Sequence, residues 1–229
     1  MIDRDVYRSG QYAAMFQPDD SHNPFQKLYA AKRDDVISSI RRGLAPGGRV
    51  LDLGGGPGRM AVRLAGDYRV TLGDVSLDML RTAEVSALER RVTLQTLQLD
   101  ASKPLPLATH TFDRAICTDV LPHLAAPVPT LRELRRVLRP DGELLVDATN
   151  RSAWWLLAYP RAFGRRPERW VPTWRSGGIA PEWQATVRHH RHAEFLEMLI
   201  EAGFRVMQEW RYGPIWSAKW YLTRCRPAP

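Results

Sequence analysis

The run RVLDLGGGPGRMA, residues 49 to 61, constrains this chain more than any other stretch. Apolar residues flank an aspartate, and glycine then fills four of the five positions from 54 to 58. A chain gives up side-chain packing in this way where backbone must come very close to something. Three ligands suit such a loop: a dinucleotide, a nucleoside triphosphate, or another adenosine compound. Gly56, Gly58 and Ala61 satisfy G-x-G-x-x-G/A, the dinucleotide fingerprint. No G-x-x-x-x-G-K-[ST] occurs, which removes the triphosphate. Asp52 weighs against the dinucleotide, whose pyrophosphate would meet an extra negative charge at the end of the first strand. A carboxylate there suits a ligand with a positive group at that end. The loop is better written D-x-G-x-G-x-G, with Asp52, Gly54, Gly56 and Gly58.

The surrounding pattern gives the loop a context. From Pro24 to Leu44 the residues Phe25, Leu28, Tyr29, Val36, Ile37 and Ile40 recur at helical spacing, ended by Gly43, Pro46, Gly47 and Gly48. Short apolar runs follow at 50–53, 69–75, 91–99, 112–120 and 142–149, alternating with helical stretches at 58–66, 76–89 and 127–138. That alternation predicts an α/β fold, a doubly wound Rossmann-like sheet with helices on both faces. A helix from His192 to Ala202, closed by Gly203, precedes two final strands at 204–210 and 215–224. Their short YGP connection makes them antiparallel neighbours. Seven strands are expected, parallel except for this C-terminal hairpin.

With 229 residues, the chain has room for one domain and an insertion. We divide it into an N-terminal cap and helix (1–45), a ligand-binding core (46–150), a Trp/Arg-rich insertion (151–190) and a C-terminal helix and hairpin (191–229). No signal-peptide pattern or membrane span is visible, and a cytoplasmic location is expected. The net charge of +8 is regional: residues 149–229 carry 13 Lys+Arg against 6 Asp+Glu, whereas residues 1–148 carry 20 against 19. The insertion also holds five of the eight tryptophans.

Several stations together resemble the class I S-adenosylmethionine-dependent methyltransferases, in the small-molecule branch that includes quinone-biosynthesis enzymes. VLDLGGGPG is similar to the family's first motif and TLGDVSLDML (71–80) to its second. LQLDAS (97–102), FDRAICTDVLPHL (112–124), LRELRRVLRPDGELLV (131–146) and FLEMLIEAGFRV (195–206) are similar to the rest. The resemblance implies S-adenosyl-L-methionine as cofactor and S-adenosyl-L-homocysteine as product. Gly54, Gly56 and Gly58 would then accommodate the methionine half, its carboxylate facing the helix that starts near Gly58. Asp52 would take the ammonium side, directly or through water. Asp74, 16 residues after Gly58, would accept from both ribose hydroxyls, with Val75 beside it. Met79 would lie on the adenine face, Asp100 would accept from the adenine amine with Ala101 supplying backbone, and Thr118 would complete the site. An NAD-type oxidoreductase predicts no role for Asp52 or Asp100. A protein of this fold with a non-methylating role is a further alternative.

Methyl transfer from a sulfonium is an in-line displacement whose leaving group needs no proton, so the protein must align the reactants and exclude water. A base is needed only for an acceptor that starts protonated. His123 and Asp119, just past the fourth strand, are the candidate catalytic residues, each with a structural role as its rival. The cluster His189, His190 and His192 lacks acidic or cysteine neighbours in sequence, and no metal site is expected. Substrate choice is assigned to Tyr7, Tyr12 and Phe16 of the cap and to Trp154 and Trp155 of the insertion. The insertion reads as an aromatic lid over a hydrophobic or phenolic molecule. Its alternatives are an anionic membrane surface met through 151–175, a dimer contact, or RNA, the last disfavoured by the nearly neutral core. The expected acceptor is a small organic molecule, oxygen or nitrogen before carbon, in secondary-metabolite or quinone-like biosynthesis. The oligomeric state is not legible.

Overall fold

The computed structural model describes residues 24–150, 171–172, 186–187, 190–213 and 220–228. The described elements are α1 (Pro24–Gly43), β1 (Arg49–Leu53), α2 (Ala61–Leu64), β2 (Arg69–Asp74), α3 (Leu77–Glu89), β3 (Gln95–Gln98) and β4 (Phe112–Cys117). Then come α4 (Pro127–Val137), β5 (Leu138–Thr149), β6 (Val171–Pro172), β7 (Thr186–Val187), α5 (His192–Glu201), β8 (Phe204–Tyr212) and β9 (Trp220–Pro227). One sheet of seven strands has the order β3-β2-β1-β4-β5-β9-β8; β6 and β7 form a separate antiparallel pair. Strands β1 to β5 run parallel, and β9 is antiparallel to both β5 and β8. The strand order reverses between β1 and β4, which opens a crevice at their carboxyl ends.

Alternation along the central strands sends side chains to two cores. Leu51, Leu53, Ala115, Cys117, Leu144, Val146 and Ala148 pack with Leu131 and Leu134 of α4 and Phe195 and Leu199 of α5. Val50, Ile116 and Leu145 point to the other face, against Val36, Ile37 and Ile40 of α1 and Leu80 and Ala83 of α3. Near-continuous burial of these strands is what a sheet covered on both faces requires. Among the described residues, no helix is long and apolar enough to cross a membrane.

Four of the boundaries that differ from the sequence expectation have a local reason. The helix expected over 58–66 is a single turn, Ala61–Leu64, because Gly58 has φ +76° and cannot start an α-helix. The strand expected from Arg91 begins at Gln95. Arg91 has φ +56° and closes α3, its N–H on Leu88 C=O while Val92 N–H reaches Ala87 C=O, the glycine place in a Schellman end. The strand expected over 112–120 stops at Cys117, and Asp119 is left-handed with φ +59°. Strand β5 starts four residues early because Leu138 pairs with Phe112, after which the ladder slips and resumes at Arg114 and Glu143.

Candidate active site

A cavity of about 270 Å³ opens at the carboxyl ends of β1, β2 and β4. Its lining gathers most of the residues singled out from the sequence: Gly54, Gly56, Asp74, Val75, Met79, Asp100, Ala101, Thr118, Asp119 and His123. Two are not in the lining. Asp52 lies beneath the loop, 1% exposed; a Cβ on Gly55 would stand 2.6 Å from its carboxylate. Gly58 faces α3, where an added Cβ would meet that of Ala83 at 2.8 Å, so its missing side chain serves helix packing rather than ligand approach. Because α2 is one turn long, little macrodipole stands behind the loop, contrary to the expectation of a helix starting near Gly58. Tyr7, Tyr12, Phe16, Trp154 and Trp155 lie outside the described residues.

The loop is held by the carboxylates below and beside it. Gly54 (φ +70°) donates its N–H to Gly73 C=O at 2.6 Å. Asp74 accepts from Gly56 N–H and Ser76 N–H, both at 2.9 Å, tying the end of β2 to the loop and to the start of α3. Burial pushes the Asp74 carboxyl up, against the pull of these N–H donors. Ser76 Oγ caps α3 through Met79 N–H at 3.4 Å. Neither Asp52 oxygen has a hydrogen-bond partner among the described residues. Burial, then the Asp74 charge, pushes Asp52 up to about 7; the Ala61 N–H opposes this without reaching hydrogen-bond geometry. Asp100 turns one oxygen to its own loop, accepting from Ser102 N–H at 2.9 Å and Ser102 Oγ at 2.6 Å, while still lining the cavity.

The opposite wall comes from α1: Tyr29, Lys32, Arg33 and Val36. Lys32 is 1% exposed, in the same helical stripe as Val36 and Ile40. Its Nζ lies 2.8 Å from Asp119 Oδ2 and 2.5 Å from Asp147 Oδ2. Burial opposes the ammonium, but the two carboxylates outweigh it and its pKa rises. Tyr29 donates its hydroxyl to Asp119 Oδ1 at 3.1 Å, and Asp119 N–H donates to Asp147 Oδ1 at 2.7 Å. Asp147 is pushed up by burial, then by the Asp119 charge, with Lys32 pulling the other way. Sequence reasoning missed Lys32 and Asp147. Lys32 could have been noticed as a lysine at the phase of a buried stripe, in a chain with only four lysines.

Of the histidine cluster, His190 is buried and His192 Nε2 lies 2.5 Å from Glu209 Oε2, its ring against Tyr221 at 4.3 Å. Among the described residues no group of three or more His, Cys, Asp or Glu could hold a metal ion.

The site fits S-adenosylmethionine: a left-handed glycine loop, an orphaned carboxylate beneath it, and a second carboxylate at the neighbouring strand end. A family model described as a methyltransferase domain matches residues 51–146. The chain is 34% identical over 179 residues to the ubiquinone/menaquinone biosynthesis C-methyltransferase UbiE of Syntrophotalea carbinolica, covering 74% of each chain. It is 28% identical to the ubiquinone biosynthesis O-methyltransferase of Citrobacter koseri, over 62% of this chain and 57% of that one. The magnesium protoporphyrin IX methyltransferase of Synechocystis PCC 6803, solved with bound S-adenosylhomocysteine, shares the fold with a TM-score of 0.74, 19% identity and 98% of both chains covered. The chain belongs to the class I S-adenosylmethionine-dependent methyltransferases, in the group of the quinone-biosynthesis enzymes.

Proposed function

We propose that the chain methylates a hydroxyl oxygen of a small phenolic acceptor. The observation that carries this reading is the division of the cavity: the glycine loop with Asp74 on one side, and Asp119, His123 and Tyr29 on the other. When bound, S-adenosylmethionine supplies an electrophilic methyl group on a sulfonium. Gly54 and Gly56 give it backbone approach, and Asp74 accepts from its ribose hydroxyls. Asp52 acts from beneath Gly55, as a negative field under the ammonium end. Leu99, Met79 and Val75 contribute apolar wall for the adenine, with Asp100 and Ala101 at its edge. On the far wall, Asp119 accepts the acceptor's hydroxyl proton, and His123 hydrogen-bonds the acceptor. Asp74→Ala is expected to weaken S-adenosylhomocysteine binding tenfold or more, about 1.4 kcal/mol, by calorimetry; an unchanged Kd removes the ribose assignment.

Methylation of a ring carbon is the second reading, favoured by the C-methyltransferase at 34% identity. Deprotonation of a phenol serves both, since a phenolate is nucleophilic at oxygen and at ring carbon. Turnover of a panel containing catechol, aniline and an electron-rich arene, with mass spectrometry and NMR locating the methyl group, decides between them. O-methylated catechol is the expected product. Methyl found only on carbon or nitrogen refutes the oxygen reading.

A further inference from the structure

Nothing in the cofactor half of the cavity calls for a buried lysine. A lysine in the core stripe of α1 is costly unless its charge is answered. One carboxylate would answer it, yet Lys32 has two, and the aromatic rings of Tyr29 and Trp220 lie 4.6 Å and 5.0 Å from its Nζ. The cluster therefore carries one net negative charge. Asp147 is fully buried, whereas the Asp119 side chain is 35% exposed and lines the cavity. Asp119 is also fixed in three ways: Lys32 on one oxygen, Tyr29 on the other, and its backbone N–H on Asp147. That third contact sits on a left-handed backbone, a conformation a non-glycine residue keeps only when its surroundings impose it.

We propose that Lys32, Asp147 and Asp119 form one proton-accepting unit facing the methyl acceptor, in which Asp119 is the base and Lys32 and Asp147 are its positioning residues. The inference rests on the hydroxyl-acceptor reading above. The acceptor's O–H bond breaks, its electron pair stays on oxygen, and the proton passes to an Asp119 oxygen. The cluster goes from one net negative charge to none, leaving Lys32 and Asp147 as a balanced pair. Both carboxylates share the Lys32 ammonium, and of the two Asp119 lines the cavity, so the acceptor's proton meets Asp119. The exposed edge of Asp119 returns the proton to solvent.

The other groups facing the unit are Tyr29 and Arg33 from α1, His123 from the 3₁₀ turn Leu121–His123, Cys117 from β4, Asp52 from β1 and Tyr212 from β8. Burial pushes Cys117 and Tyr212 upward, so both stay neutral near neutral pH. His123 is the rival titrating group on the same wall.

The test uses protein carrying ¹³C-carboxyl aspartate, saturated with S-adenosylhomocysteine and titrated by NMR from pH 5 to 8. The Asp119 and Asp147 signals are expected to titrate together. Lys32→Met should raise their midpoint enough to mark a tenfold or greater gain in proton affinity, and Lys32→Arg should bring it back. Asp147→Asn, which leaves a single ion pair, should move the Asp119 midpoint down, and this variant answers the question if Lys32→Met does not fold. Signals that stay flat in the wild type, or midpoints indifferent to these substitutions, overturn the proposal. A rate arm separates it from the reading beneath it. With catechol as acceptor, Lys32→Met should lower kcat about a hundredfold with KM nearly unchanged, shift the acid limb of the pH profile, and be rescued by arginine. An acid limb that follows His123→Asn instead overturns the unit while hydroxyl methylation stands. Methylation confined to nitrogen or carbon fails the hydroxyl reading even where the two aspartates titrate as a pair.

Discussion

Asp52→Asn flattens the pH dependence of stability by about 3 kcal/mol between pH 5 and 8, measured as urea unfolding of the ligand-free protein. The Asp52 carboxyl is held at about 7 in the folded chain, against 3.8 for an ordinary aspartate, first by burial and then by the Asp74 charge. A folded-state value above the unfolded one means that folding prefers the protonated form. The contribution of Asp52 is then fully present below about pH 4 and is lost as pH rises through 7. A tenfold change in proton affinity is worth about 1.4 kcal/mol, so the span from pH 5 to pH 7 sets the size of the effect. Asp74 and Asp147 are displaced in the same direction and leave a residual slope in the variant. An amide at position 52 also inherits the lack of partners, so the slope, not the absolute stability, is the informative quantity. Parallel pH curves for wild type and variant would show that the carboxylate is solvated after all. The consequence for function is direct: at neutral pH the ligand-free loop sits on a carboxyl near its midpoint, which a bound ammonium would draw into its charged form.

Gly54→Ala destabilises the fold by roughly 2–4 kcal/mol and lowers Tm by about 5–15 °C. Two costs combine. At φ +70° an L-residue is strained by about 1–2 kcal/mol, and the new Cβ would stand 2.2 Å from Cγ2 of Val120. Valine is stiff at χ1 and Val120 is buried, so the clash is relieved only by moving the loop or the turn that carries Asp119 and His123. Affinity for S-adenosylhomocysteine therefore falls with stability. Gly47→Ala is the control: φ is +81° and a Cβ there meets nothing within 4 Å, so it carries the strain without the clash. Equal losses from the two substitutions would assign the whole effect to backbone conformation.

The cofactor half was legible because its requirements are written in backbone chemistry. Left-handed glycines, an aspartate ending β2 and a serine capping α3 have few alternative explanations, and short apolar runs alternating with helices announce a sheet covered on both faces. Of the acceptor half, Asp119 and His123 were legible and their supports were not. Lys32 reads locally as one of many charged residues on an amphipathic helix, and only the register of α1 against β4 and β5 shows that it is buried between two aspartates. Asp147 lies in LLVDAT, where one polar residue in an apolar run gives no sign of its partner. Gly58 fits a ligand-binding pattern while its contacts are those of helix packing. The early end of β4 followed from the backbone that Asp119 adopts, which no side-chain pattern encodes.

Strand β9 lies between β5 and β8, bonded to both, although it is the last of the described elements in sequence. On the ribosome, every other described element emerges first. Until residues 220–227 arrive, β5 presents an unpaired edge and β8 has no ladder to join, so the nascent chain carries two sticky margins that only this late segment can close. Completion of the sheet is thus an insertion rather than an addition, which makes the interval before β9 appears the one in which these edges are open to wrong pairing.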